Sequence, residues 1–171
     1  MTEQPSTARV ALKWGVMLGI ALMLITLLMY LTTPTGNIGF TLLTLAVMVA
    51  FLYLGMSEYR RLNGGFMAYG EGMGLGALLS AVAGMLSAAF TTFYNVVIDP
   101  GIQQRSVELA REQLEKQNMS DEQIDQAMEM AMKFQSPGFM FVAGIFGTII
   151  MGALLSLVVA AVLRKNRPVF E

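Results

Sequence analysis

The sequence predicts an all-α, integral-membrane four-helix bundle with an extracytoplasmic helical hairpin between its third and fourth spans. Three observations predict it. The 171 residues are 55% hydrophobic and only 13% charged, where a soluble domain carries about 25% charge interleaved with its core. The charge is also segregated, because residues 14–57, 72–98 and 134–163 hold none. Between the last two of these stretches lies a polar segment whose apolar residues recur at helical spacing.

Composition removes chemistry as well. The chain has no Cys and no His. Without Cys there is no disulfide framework, thiolate nucleophile, zinc ribbon or iron–sulfur ligation. Without His, Ser–His–Asp and Cys–His catalysis are excluded and the usual transition-metal ligand is missing. Only Asp, Glu, Lys and Tyr remain for catalysis, so the expectation is a non-enzyme with no cofactor and no metal. A net charge of −1 gives no reason to expect nucleic acid.

Residues 1–13 read as a polar tail that includes Arg9 and Lys13. About 20 apolar residues cross a 30 Å hydrocarbon core, and the first span is expected at about 10–31, with Lys13 snorkelling. This run is too long for a signal peptide and no small-x-small site follows Tyr30-Leu31, so an uncleaved signal anchor is expected. Thr32-Thr33-Pro34-Thr35-Gly36-Asn37 is a turn cluster in which Asn37 can open the second span, 38–57. Residues 57–71, with Glu58, Arg60, Arg61, Glu71 and Asn63-Gly64-Gly65, read as a surface loop. The third span occupies 73–98 and stops before Pro100.

The polar helical insert is expected at 100–134. Ile102, Val107, Ala110 and Leu114 mark the face of its first helix, which Asn118 can end. Ser120-Asp121-Glu122-Gln123 is a capping-box pattern opening a second helix with Ile124, Ala127, Met128, Ala131 and Phe134 on one face. Ser136-Pro137-Gly138 breaks it, and the fourth span, 138–163, leads to Arg164-Lys165-Asn166-Arg167. The whole chain, 1–171, is thus one membrane domain.

If four spans alternate, the side with both termini and the 57–71 loop carries seven Lys/Arg: Arg9, Lys13, Arg60, Arg61, Arg164, Lys165 and Arg167. Against them stand four acids: Glu3, Glu58, Glu71 and Glu171. The opposite side has four Lys/Arg and eight acids. The positive-inside rule then puts both termini in the cytoplasm and the insert outside.

Small residues recur every fourth position in two spans. The third runs Gly72, Gly76, Ser80, Gly84, Ala88; the fourth runs Gly144, Thr148, Gly152, Ser156, Ala160. Such ridges let helix backbones approach closely in lipid. Packing of spans three and four against each other is the bland reading, dimerisation the sharper one, and the motif does not separate them. Ala11, Gly15 and Gly19 form a shorter version in span one.

Other patterns weaken on inspection. Gly72-x-Gly74-x-x-Ala77 fits a loose dinucleotide fingerprint but lacks the preceding strand and later acid, and no Gly-Lys-Ser/Thr follows. Met128, Met130 and Met132 invite Cu(I) ligation, yet only Met128 and Met132 share a helix face, so a greasy underside is expected. The span cores hold no Asp, Glu, Lys or Arg, which weighs against an ion-coupled carrier. Thr26, Thr44, Ser80, Ser87, Thr91, Asn95, Thr148 and Ser156 remain, with hydroxyls bonding back to their own helix as the ordinary account. Asn95 with Asp99 is the most polar group near lipid and the candidate outer site; a structural helix end is its plain alternative.

These residues also carry a resemblance. Lys13-Trp14-Gly15, Tyr59-Arg60, Gly65-Phe66 with Tyr69-Gly70, Tyr94 with Ile98-Asp99-Pro100, Met119-Ser120-x-Glu122-Gln123 and the basic end after Leu163 resemble domain-of-unknown-function family 4199. Ile-Asp-Pro before an acidic helical insert is the most specific part. The resemblance implies a bacterial cytoplasmic-membrane protein of four spans with no established activity, and it brings no functional residues with it.

Two functions stay open on the sequence. The first is a non-enzymatic, membrane-embedded binding or accessory protein whose partners are the lipid bilayer and either a partner protein or a second copy in a homodimer. The alternative is a small transporter or channel with a Ser/Thr/Asn-lined path, which a continuous water-accessible cavity reaching Ser80 or Thr148 would favour.

Overall fold

The computed structural model describes residues 6–32, 37–117, 119–134 and 136–166. Residues 33–36 of the turn expected at 32–37, the stop at Asn118 and the Arg167 end of the basic segment lie outside them. Among the described residues the chain is all-helical. It forms α1 (Thr7–Thr32), α2 (Ile38–Leu62), α3 (Tyr69–Phe93), α4 (Gly101–Lys116), α5 (Asp121–Lys133) and α6 (Pro137–Leu163), with one π-helical turn, Tyr94–Ile98, continuing α3. The helices α1, α2, α6 and α3 with its π turn are each long and apolar enough to cross a membrane.

Local chemistry sets the helix ends. Asn37 Oδ1 accepts a hydrogen bond from the Gly39 N–H at 2.8 Å and opens α2. Ser136 accepts from the Phe139 N–H at 3.3 Å, with Pro137 in the first position of α6, where a missing N–H costs nothing. The surface loop expected over 57–71 shrinks to 63–68. No breaker interrupts 57–62, so α2 runs on, and Arg60 and Arg61 sit in its last turn, where cations suit the helix dipole. Its stop is a glycine cap: Gly65 N–H reaches back to the Arg60 carbonyl at 2.8 Å, and Gly64 takes φ +69. Glu71, in the first turn of α3, accepts from the Ala68 N–H at 2.7 Å.

Contacts place the spans around the bundle in the order α1, α3, α6, α2, so α2 and α3, consecutive in sequence, stand diagonally. The core is apolar: Leu18, Leu52, Met56, Leu75, Leu79 and Ala83 are fully buried. Outward-facing side chains are also apolar, with Leu31, Ile38, Val158 and Val162 more than three-fifths exposed, as a helix surface facing hydrocarbon requires. At the end carrying the termini, Lys13 bridges Glu58 at 2.8 Å and the Trp14 indole N–H donates to the same carboxylate at 2.6 Å, tying α1 to α2.

The insert forms two helices at the opposite end. Ser120 Oγ accepts from Gln123 N–H at 3.4 Å and Gln123 Oε1 accepts from Ser120 N–H at 3.2 Å, the reciprocal cap that opens α5. This helix lies along α4, with Ile124 and Met128 buried and Arg111 of α4 3.6 Å from Asp125. In turn α4 leans on the π turn, with Ile102 buried. Met130 and Met132 are exposed, so the three methionines do not converge.

Candidate functional site

The ten small residues of α3 and α6 pair off in one antiparallel register. A Cβ added to Gly72 would meet the Ala160 Cβ at 2.9 Å; one added to Gly84 would meet the Thr148 Cβ at 2.9 Å; one added to Gly144 would meet the Ala88 Cβ at 3.2 Å. At the two middle steps a Cβ on Gly76 would overlap Ser156 and a Cβ on Gly152 would overlap Ser80. Each pair moves four residues along one helix and four back along the other, so glycine on one side always faces a larger small residue. Ser156 and Thr148 donate to their own helix, to the Gly152 and Gly144 carbonyls at 2.6 and 2.8 Å. Ser80 Oγ is buried with no hydrogen-bond partner. Along the other flank of α3, Gly15 and Gly19 of α1 press on Val82 and Leu86.

Beyond the Ala88–Gly144 step the seam opens into a cavity of about 230 Å³. Its walls include Ser87, Thr91 and Asn95 from the α3 side, Thr148 and Met140 from α6, and Gln103 from α4. The hydroxyls and amides are thus gathered at one end of the seam, under the start of the insert. Gln103 also donates to the Met140 sulfur at 3.7 Å, joining α4 to α6 across the cavity.

The π turn shapes this wall. Its closing bond runs from Asp99 N–H to the Tyr94 carbonyl, five residues back, at 2.9 Å, and such widened turns are frequent at functional sites. Tyr94 is buried and its ring lies 5.0 Å from Tyr30. Asn95, the next residue, has its Oδ1 buried without a partner. An orphaned buried acceptor of this kind calls for a donor to complete it.

The candidate outer pair divides. Asn95 lines the cavity; Asp99 does not, since its Oδ1 accepts from the Gly101 N–H at 3.1 Å and its Oδ2 pairs with Arg105. Asp99 therefore builds the start of α4, as a structural helix end would. Gln103 and Met140 were not singled out by sequence reasoning, because nothing in their local pattern shows that the insert returns to α6.

Four apolar helices around a small-residue seam define the chain as a multi-pass membrane protein. It belongs to the family described as protein of unknown function (DUF4199), which it matches over residues 13–165. No curated protein and no solved structure matches it.

Proposed function

We propose that this is a non-enzymatic, membrane-embedded binding protein whose receiving site is the cavity between α3, α6 and α4. The gathering of Ser87, Thr91, Asn95, Gln103 and Thr148 around that cavity carries the reading, since a few polar groups set in an otherwise apolar wall orient a bound molecule. The lining side chains are uncharged, so the chemistry fits a small uncharged amphipathic molecule rather than an anion or a cation. The protein sits in the bacterial cytoplasmic membrane with both termini in the cytoplasm and α4–α5 outside, a reading supported by the Lys/Arg asymmetry. In that orientation the α4–α5 hairpin covers the cavity from the extracytoplasmic side and offers its outer face to a partner protein or a second copy.

Transport draws on the same cavity, whose wall includes Thr148. Past that point Ser80 against Gly152 and Ser156 against Gly76 leave no room even for a methyl group, so a path across the membrane would require the seam to part. Binding is the better reading. The test is to purify the intact protein and its Thr91→Trp variant and compare the small molecules each releases by mass spectrometry. An uncharged amphipathic species depleted about tenfold in the variant, equivalent to about 1.4 kcal/mol, is expected. Identical extracts from two folded proteins would remove the cavity as the receiving site.

A further inference from the structure

Where α1 begins and α6 ends, three cations meet with no carboxylate between them among the described residues. Arg60 and Arg61 of α2, Lys165 just after α6, Ser57 and Gly65 wall a groove of about 490 Å³. The backbone fixes it: Met67 and Lys165 exchange both N–H···O bonds at 2.9 Å, an isolated antiparallel bridge that clamps Lys165 against the 63–68 loop. Arg60 Nη1 donates to the Leu163 carbonyl at 3.2 Å, which uses one of its five N–H donors. Lys165 Nζ stands 5.6 Å over the Phe66 ring.

Among the described residues, the two acids at this end, Glu58 and Glu71, are committed elsewhere. Glu58 holds Lys13 and Trp14 at 2.8 and 2.6 Å, so that it reaches Arg61 only through its field. Glu71 holds the Ala68 N–H at 2.7 Å and the Tyr59 hydroxyl at 3.3 Å. Arg60 and Lys165 are tied down by backbone contacts and Arg61 lines the same groove, so these like charges repel one another unless an anion is shared among them. The helix ends that supply these cations also leave Leu62 and Val162 largely exposed, an apolar surface on which the chains of a lipid can lie.

We propose that this groove binds the phosphate of an anionic phospholipid headgroup, with the acyl chains lying against the apolar flanks of α2 and α6. This site is separate from the cavity and stands or falls without it. Each cation near such a headgroup contributes about 1 kcal/mol, a factor of about five in affinity.

The full chain in neutral detergent is titrated with short-chain phosphatidylglycerol, with phosphatidylcholine and inorganic phosphate as separate arms, and bound lipid is counted by native mass spectrometry. Arg61→Gln and Lys165→Gln should each weaken phosphatidylglycerol binding about fivefold, while Arg164→Gln, an equal charge change outside the groove, should leave it nearly unchanged. Equal weakening in all three variants would reduce the site to diffuse surface attraction and overturn the proposal. Displacement of the lipid by inorganic phosphate at equal concentration would overturn its assignment to a lipid. Should a variant not fold, the wild-type protein decides: binding must fall when salt rises from about 0.1 M to about 1 M, which shortens the screening length from about 10 Å to about 3 Å. Salt-insensitive binding overturns it.

Discussion

At the residue scale the seam between α3 and α6 depends on which side of each step lacks a Cβ. Gly152 faces Ser80 so closely that an added methyl would overlap it, whereas a methyl on Gly147, in the same helix, meets nothing within 4 Å. Gly152→Ala should therefore lower stability in detergent by about 1–3 kcal/mol, the range for overpacking a close contact, while Gly147→Ala should stay within about 0.5 kcal/mol. Thermal unfolding followed by circular dichroism separates them, and equal tolerance would show that the helices approach less closely. The four-residue spacing of these small residues is legible in the sequence. Which partner each one faces is not, because register depends on the relative height of two helices that are separated by the whole insert.

At the element scale, the legible features were those with a local cause: Asn37 and Ser120 each cap a helix through a bond reaching two or three residues, while Ser136, legible only as part of a break, proves to cap α6 as well. The π turn at Tyr94–Ile98 was not legible, since its extra residue is held by surroundings such as the Tyr30 ring 5.0 Å from Tyr94, sixty-odd positions away in sequence. The extension of α2 to Leu62 was missed for a related reason: charge marks where a helix leaves hydrocarbon, not where its hydrogen bonding ends. The insert tests the balance between local and tertiary forces. A helix of 13 residues is marginal alone in water, so α5 depends on the burial of Ile124 and Met128 along α4. Ile124→Ala should cost about 2 kcal/mol or more and release α5, making the 117–120 connection cleavable by protease at concentrations that spare the wild type. Unchanged cleavage would mean that Ile124 is not what holds the pair together.

At the scale of the whole molecule, the two ends of the bundle differ in kind. One end gathers the cations Arg60, Arg61 and Lys165 beside the 63–68 loop, with Lys13 on Glu58; the other gathers the π turn, the cavity and an insert with seven acids against four cations. Uncharged runs made the four spans legible, because length and hydropathy alone decide what crosses hydrocarbon; the cavity was not, because it arises where the seam between two distant helices stops closing. Translocating a basic end is disfavoured, so this asymmetry supports the proposed orientation, with the termini in the cytoplasm and α4–α5 outside. Ser6, Gln113 and Asn166 are exposed, and the chain has no native Cys, so a single Cys at each can be read without background. On intact cells an impermeant thiol reagent should label Gln113→Cys and spare Ser6→Cys and Asn166→Cys, while all three should react once the membrane is opened. Labelling of Ser6→Cys or Asn166→Cys on intact cells would reverse the orientation and place the cavity, with its covering hairpin, on the cytoplasmic side.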